Sequence, residues 1–242
     1  MAFYFDSHAH YDDNRFDADR ETVIAALREA GVRAVMNSAS DLESSRAALA
    51  LAKRYPFFRA SAGVHPHEAR TLDAAALGEV ARLCREPEVV ALGEIGLDYA
   101  VTGDSVLRTA QRHWFEQQME LAADRSLPVI IHCVRAYNDL IPILRHYPHV
   151  TPVIHGFTGS PELAERLLQA GGYLSFGHRT AASPKTRQAL AAVPVDRVFF
   201  ETDESPLPIA ATYATAAAIT GKTVAEWKET VYDNYRRLFK TP

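Results

Sequence analysis

The residues with most to offer chemically are histidines and carboxylates set where short apolar runs end. The first are His8 and His10, two apart in the run Asp6-Ser7-His8-Ala9-His10, which follows the apolar residues 2–5. In an extended chain the side chains of residues i and i+2 leave the same face. Both imidazoles then point to one spot, and two convergent imidazoles favour a divalent transition metal. Glu94, His132, His155 and Asp203 follow apolar runs further along the chain. Four imidazoles and two carboxylates exceed the three or four protein ligands of a single zinc site. They suffice for two metals with Glu94 as the bridge. Metals about 3.5–4 Å apart can clamp the attacking and leaving oxygens of a displacement reaction.

Six residues spread over nearly 200 positions converge only if regular elements bring them together, and the chain supplies an alternation of such elements. Apolar, β-rich runs predict strands over residues 2–5, 32–36, 57–63, 89–95, 128–131, 152–154, 173–176 and 198–200. Segments of helical period fall between and after them, over 17–30, 42–55, 73–84, 105–124, 139–146, 161–170, 184–193, 209–219 and 224–239. In the first helix Val23, Ile24, Leu27 and Ala30 share a face and Gly31 stops it. Pro56 ends the second. Ser160 caps the sixth, with Pro161 at its first position and Gly171-Gly172 beyond its end. Strict alternation implies parallel strands joined by right-handed crossovers, and eight units favour closure. The expected architecture is α/β, a (β/α)8 TIM barrel, as a single domain over residues 1–242. No Gly-x-Gly-x-x-Gly follows the first strand, which weakens a dinucleotide-binding open sheet.

In such barrels the chemistry lies at the C-terminal ends of the strands. His8 and His10 end strand one, Glu94 strand four, His132 strand five, His155 strand six and Asp203 strand eight. His65 follows strand three. Arg135 lies three residues after His132 on the same rim and is assigned to the substrate. His178 and Arg179 follow strand seven, where a phosphate contact and plain surface charge are both open. Alternation turns Cys133 away from His132, which predicts a buried thiol. Trp114 and Phe115 read as helix packing rather than as platforms for bases.

Composition narrows the partners. With a net charge of −4 and 23% charged residues, the chain has no broad basic footprint, so an extended nucleic-acid surface is not indicated. The two cysteines, Cys84 and Cys133, offer no disulfide framework and predict reduced thiols in a cytoplasmic protein. The N-terminus lacks a positive region followed by a long apolar one, so no secretory signal is expected. No run reaches the length of a membrane span.

Taken together, residues 6–11 (DSHAHY), 63–67 (GVHPH), 93–99 (GEIGLDY), 131–135 (IHCVR), 154–159 (IHGFTG) and 201–206 (ETDESP) resemble the TatD family of metal-dependent hydrolases, within the amidohydrolase-like superfamily. Residues 232–239 (YDNYRRLF) resemble the closing helix of that family. The resemblance implies a (β/α)8 barrel with one or two divalent ions (zinc, manganese or magnesium). It also implies phosphodiester hydrolysis of the deoxyribonuclease kind by a metal-activated water. Carried over by position, His8 and His10 hold the first ion, Glu94 bridges, and His132 and His155 hold the second. Asp203 binds a metal and acts as general base, and His65 reaches the substrate phosphate or sits behind the ligands. Glu201 or Asp98 would accept from the far nitrogen of a ligating imidazole. The chain departs from the family at its walls. The segment after Pro206 is short, residues 100–104 are small, and His-Cys-Val-Arg replaces the commoner His-Ser-Arg. The implied partner is therefore DNA or a small phosphoester, with an amide or lactone as the alternative substrate. No membrane is involved, and the expected state is a monomer or a weak homo-oligomer.

Overall fold

The computed structural model describes residues 3–100 and 104–239. The Ala2 end of the first predicted strand and residues 101–103 of the small stretch lie outside the described residues. Eight parallel strands appear in chain order: β1 (Tyr4–Ala9), β2 (Val32–Asn37), β3 (Phe58–Ala62), β4 (Val89–Asp98), β5 (Val129–Val134), β6 (Pro152–Ile154), β7 (Tyr173–Phe176) and β8 (Val198–Phe200). Each pairs in parallel with the next. Between them run α1 (Arg20–Glu29), α2 (Leu42–Arg54), α3 (Ala74–Leu83), α4 (Ser105–Arg125), α5 (Tyr137–His146), α6 (Pro161–Gln169) and α7 (Pro184–Ala192). After β8 come α8 (Ile209–Thr220) and α9 (Val224–Phe239). The fold is the (β/α)8 TIM barrel that the alternation of the sequence implies.

Local rules account for most element ends. Asp41 accepts from the Ser44 amide while the Ser44 hydroxyl accepts from the Asp41 amide, a reciprocal cap on α2. Ser160 accepts from the Leu163 amide at the start of α6, where Pro161 costs no hydrogen bond. Three strands run further than apolar patterning suggests. β1 extends to Ala9, β4 to Asp98 and β5 to Val134. Polar residues in those extensions carry the candidate site, so apolar pattern ends early where the strand does not. Gly96 sits at φ +141°, and a Cβ there would overlap the His132 carbonyl oxygen. Glycine thus lets β4 lie close against β5 at the level of the site.

The barrel closes between β8 and β1 with little backbone ladder. One parallel bridge joins Ala9 to Asp203, and the Asp203 amide donates to the His8 carbonyl at 2.8 Å. Side chains supply the rest. The Tyr213 hydroxyl from α8 donates to the Phe5 carbonyl at 3.0 Å and accepts from the Phe5 amide at 3.3 Å. Ser7 donates to the Phe200 carbonyl at 2.9 Å. The buried Asp6 carboxylate accepts from the Thr202 hydroxyl at 2.6 Å and from its amide at 3.0 Å. The seam of the barrel is thereby pinned one residue on each side of His8 and next to Asp203. Phe5, Phe199, Tyr235 and Phe239 pack together where α9 crosses β1 and β8.

Candidate metal centre

The four predicted imidazole ligands converge on Glu94, which is buried near the middle of β4. Its two oxygens face different clusters. Oε2 lies 3.4 Å from His8 Nε2 and 3.9 Å from His10 Nε2. Oε1 lies 2.8 Å from His155 Nε2 and 2.9 Å from His132 Nδ1. Asp203 stands beside the first cluster, with Oδ1 3.6 Å from His10 Nε2 and 3.9 Å from His8 Nε2. The backbone of Asp203 is in the left-handed region at φ +53°, held there by its bond to β1. That conformation turns its carboxylate to the His8–His10 side at the end of β8.

Within each cluster the nitrogens approach one another. His8 Nε2 and His10 Nε2 are 3.1 Å apart, and His132 Nδ1 and His155 Nε2 are 3.3 Å apart. Their far nitrogens show which atoms carry lone pairs. His10 Nδ1 lies 2.8 Å from the Ser38 carbonyl, which can only accept, so Nδ1 bears the proton and Nε2 of the neutral ring is left as a donor of electrons. His132 Nε2 lies 3.0 Å from Asp98 Oδ2. Hydrogen bonds from Ala100, His132 and His67 outweigh burial and hold Asp98 below its usual range, so it is an acceptor there. His132 therefore turns the lone pair of Nδ1 inward. A carboxylate behind a ligating imidazole fixes its tautomer and raises its basicity.

His65 behaves differently. Its Nδ1 accepts from the His67 amide at 3.2 Å, which leaves an N–H on Nε2, 3.4 Å from Glu94 Oε1. This geometry suits a donor to the Glu94 carboxylate better than a ligand. Asp98 answers the requirement for an acceptor behind His132. Glu201 does so less closely for His155, its Oε1 standing 3.9 Å from Nδ1 while it accepts from the Gly156 amide at 2.6 Å. His67, to which the sequence reading gave no role, joins the network through its Nε2, 3.0 Å from Asp98 Oδ2. Its signal was the second His-x-His, His65 to His67. A tight turn at Pro66–Glu68 removes strand alternation from that pair, so spacing could not place it.

The charges of the centre suit a cation. Burial alone would raise Glu94, yet the charges of His155 and His8 and hydrogen bonds from His132 and His155 hold it well below the carboxylate range. Asp203 is likewise held well below that range, because a bond from His10 and three nearby imidazoles outweigh its burial. His8 is pushed down to about 4 by burial and by repulsion from His155. His155 goes the other way, to about 9, where Glu94, Glu201 and Asp203 overcome burial. The protein thus balances buried carboxylates with protons on imidazole. Ligand deprotonation and metal binding compete for those same atoms. Two buried nitrogens, His8 Nδ1 and His155 Nδ1, and the Glu201 Oε2 oxygen have no partner. Three groups, His8–His10–Glu94, His8–His155–Asp203 and His65–Glu94–His132, each bring their ligating atoms within 4.8 Å of one another, and imidazoles and carboxylates so grouped fit divalent ions.

The remaining predicted residues lie around this centre. Arg135 follows β5 at φ +54°, exposed, and is not among the residues lining the cleft above Glu94. Arg179 is, on the turn after β7. Cys133 is half-buried and borders the cleft rather than lying wholly beneath it. Burial still pushes its thiol up to about 12. His113, His146 and His149 are exposed, and Phe115 packs in the core with Trp114 against it.

Known proteins resemble this chain in sequence and in fold. A "3'-5' ssDNA/RNA exonuclease TatD" of Cronobacter turicensis is 36% identical over 204 residues, covering 82% of this chain and 77% of that protein. The "Uncharacterized metal-dependent hydrolase YjjV" of Escherichia coli is 34% identical over 211 residues, covering 85% and 81% of the two chains. The crystal structure of YjjV, a TatD homolog from Escherichia coli, superposes with a TM-score of 0.91 over 99% of this chain and 98% of that one, at 30% identity. With residues 5–240 matching the family described as TatD related DNase, and with relatives above 30% identity over most of its length, the chain belongs to the TatD family of metal-dependent hydrolases.

Proposed function

We propose that this chain hydrolyses phosphodiester bonds of the nucleic-acid kind with two divalent ions, the kind of bond that its exonuclease relative is named for cutting. The observation that carries the reading is Glu94, each of whose oxygens serves a separate imidazole pair. His8, His10 and Glu94 Oε2 would hold one ion, with Asp203 beside it, and His132, His155 and Glu94 Oε1 the other. The imidazole-rich set favours zinc over manganese or magnesium. Ions so bound acidify water and offset charge on the phosphate.

The chain's own residues do the rest. Asp203 is the acid of the centre most open to the cleft, with 29% of its side chain exposed, against 5% for Glu94. Its carboxylate is ionised and can take the proton of the attacking water. As the new P–O bond forms and the old one breaks, the same group returns a proton to the leaving alkoxide. Asp98 keeps His132 oriented, and the Ser38 carbonyl does the same for His10. His65 donates to Glu94 and remains a substrate contact in this reading, whereas Arg135, outside the cleft lining, would meet only a substrate that extends past the rim. Neither cysteine is in a disulfide, which accords with a cytoplasmic setting.

Asp203→Asn should lower turnover of bis-p-nitrophenyl phosphate by about 10²–10⁴-fold while circular dichroism stays unchanged. Undiminished turnover would remove Asp203 from the reaction. Turnover of simple lactones or amides without any of the phosphoester would replace the proposed substrate class.

A further inference from the structure

The candidate centre lies at the floor of a cleft of about 820 Å³. The walls carry the opposite charge from a groove that holds a nucleic-acid strand. Asp13, Asp41, Glu43, Glu68 and Glu204 line it, and among the described residues none is paired with a lysine or arginine. Arg179 is the one lysine or arginine among the described lining residues. It is exposed, has no ion pair among the described residues, and also lines a small recess beside Gly156 and Asp203. No described phenylalanine, tyrosine or tryptophan lines the cleft either. The aromatic pair of α4 is engaged in packing.

Proteins that hold single strands combine a cationic groove that follows the backbone with aromatic faces that stack bases. This cleft has neither. Like charges within a Debye length, about 10 Å at 0.1 M salt, repel with little screening. The ions that the centre would hold offset the charge of Glu94, Asp203 and the phosphate bound there, so each phosphate of a strand beyond that one and the one at Arg179 would still meet the carboxylates of the walls.

We propose that the site selects short phosphodiesters of dinucleotide size that carry one further anionic group, bound by Arg179, and that its acidic walls turn away long single strands. The inference rests on the phosphodiesterase reading and narrows its substrate.

The test compares kcat/KM of the metal-loaded enzyme on 5′-phosphorylated thymidine dinucleotide and on an oligothymidylate of about 20 nucleotides, across a salt series. Bis-p-nitrophenyl phosphate serves as the reference diester. The dinucleotide should be preferred about tenfold or more, and activity on the long strand should rise with salt as repulsion is screened. A strand held through four phosphates would instead give a logarithmic salt slope of about −3. The double variant Glu43→Gln, Glu68→Gln should raise kcat/KM on the long strand several-fold and leave the reference diester unchanged. Arg179→Ala should raise KM for the dinucleotide about tenfold with kcat preserved, as loss of a charge-assisted contact predicts. Preference for the long strand, a steep negative salt slope, or a long-strand rate indifferent to the two glutamates overturns the inference while phosphodiester hydrolysis stands. Failure on all three diesters overturns the phosphodiesterase reading itself, and the inference with it.

Discussion

Asp98 illustrates how much of the centre depends on residues behind the ligands. Its Oδ2 takes bonds from both His132 and His67, and its Oδ1 accepts from the Ala100 amide at 2.8 Å. In Asp98→Asn the amide can keep the bond from Ala100, but an NH2 group would face His132 Nε2–H. The imidazole then loses both its anionic partner and its fixed tautomer. Metal affinity should fall about 10–100-fold, measured by competition with a chromophoric chelator. Unchanged affinity would show that Asp98 does not tune the centre. Cys84 gives a residue-scale prediction away from the site. Burial pushes its thiol up to about 12, from 9.0. At neutral pH that leaves about a thousandfold less thiolate than an exposed cysteine has. Native protein treated with iodoacetamide should keep Cys84 unmodified by mass spectrometry, and denatured protein should not.

At the scale of elements, the β8–β1 seam is the part of the barrel that side chains hold. Tyr213 of α8 both donates to and accepts from the backbone of Phe5. Burial holds its phenol well above the usual range, so the hydroxyl keeps its proton. Tyr213→Phe preserves the ring packing against Tyr4 and Phe200 and leaves the two Phe5 groups unsatisfied. The expected cost is about 1–3 kcal/mol, read as a lower urea midpoint at constant m-value. A midpoint equal to wild type would mean that water or backbone replaces the hydroxyl. The same seam sets the distance between His8 and Asp203, since the Asp203 amide is bonded to the His8 carbonyl.

At the scale of the whole molecule, none of the described helices is long and apolar enough to cross a membrane. Among the described residues, Val106 and Leu207 are the large hydrophobics left exposed, at 73% and 53%, and each stands alone. A stable interface needs a contiguous apolar patch, which two single residues do not make. Sedimentation at micromolar concentration should therefore give a monomer, and a dimer would reveal an interface of polar character.

Most of the architecture was legible in the sequence. Eight apolar runs separated by helical periods define the barrel because a strand buried on both faces is apolar along its length. Single residues such as Ser160, Pro161 and Gly31 then fix the element ends. The six candidate ligands could be picked out in the sequence too, because polar residues at the ends of such runs have few structural reasons to be there. Their division into pairs followed from the resemblance to the family, and tertiary structure alone decided how Glu94 meets each pair. Which oxygen of Glu94 faces which imidazoles depends on register between β1, β4, β5 and β6, and spacing along the chain carries no information about register across crossovers. The same holds for His65, set behind Glu94 by the turn at Pro66, and for Arg179, brought into the cleft that Arg135 borders only from outside. The sequence showed an acidic chain without a basic footprint. Only the fold gathered its carboxylates onto the walls of one cleft, because residues as distant as Asp13 and Glu204 meet only when the barrel closes.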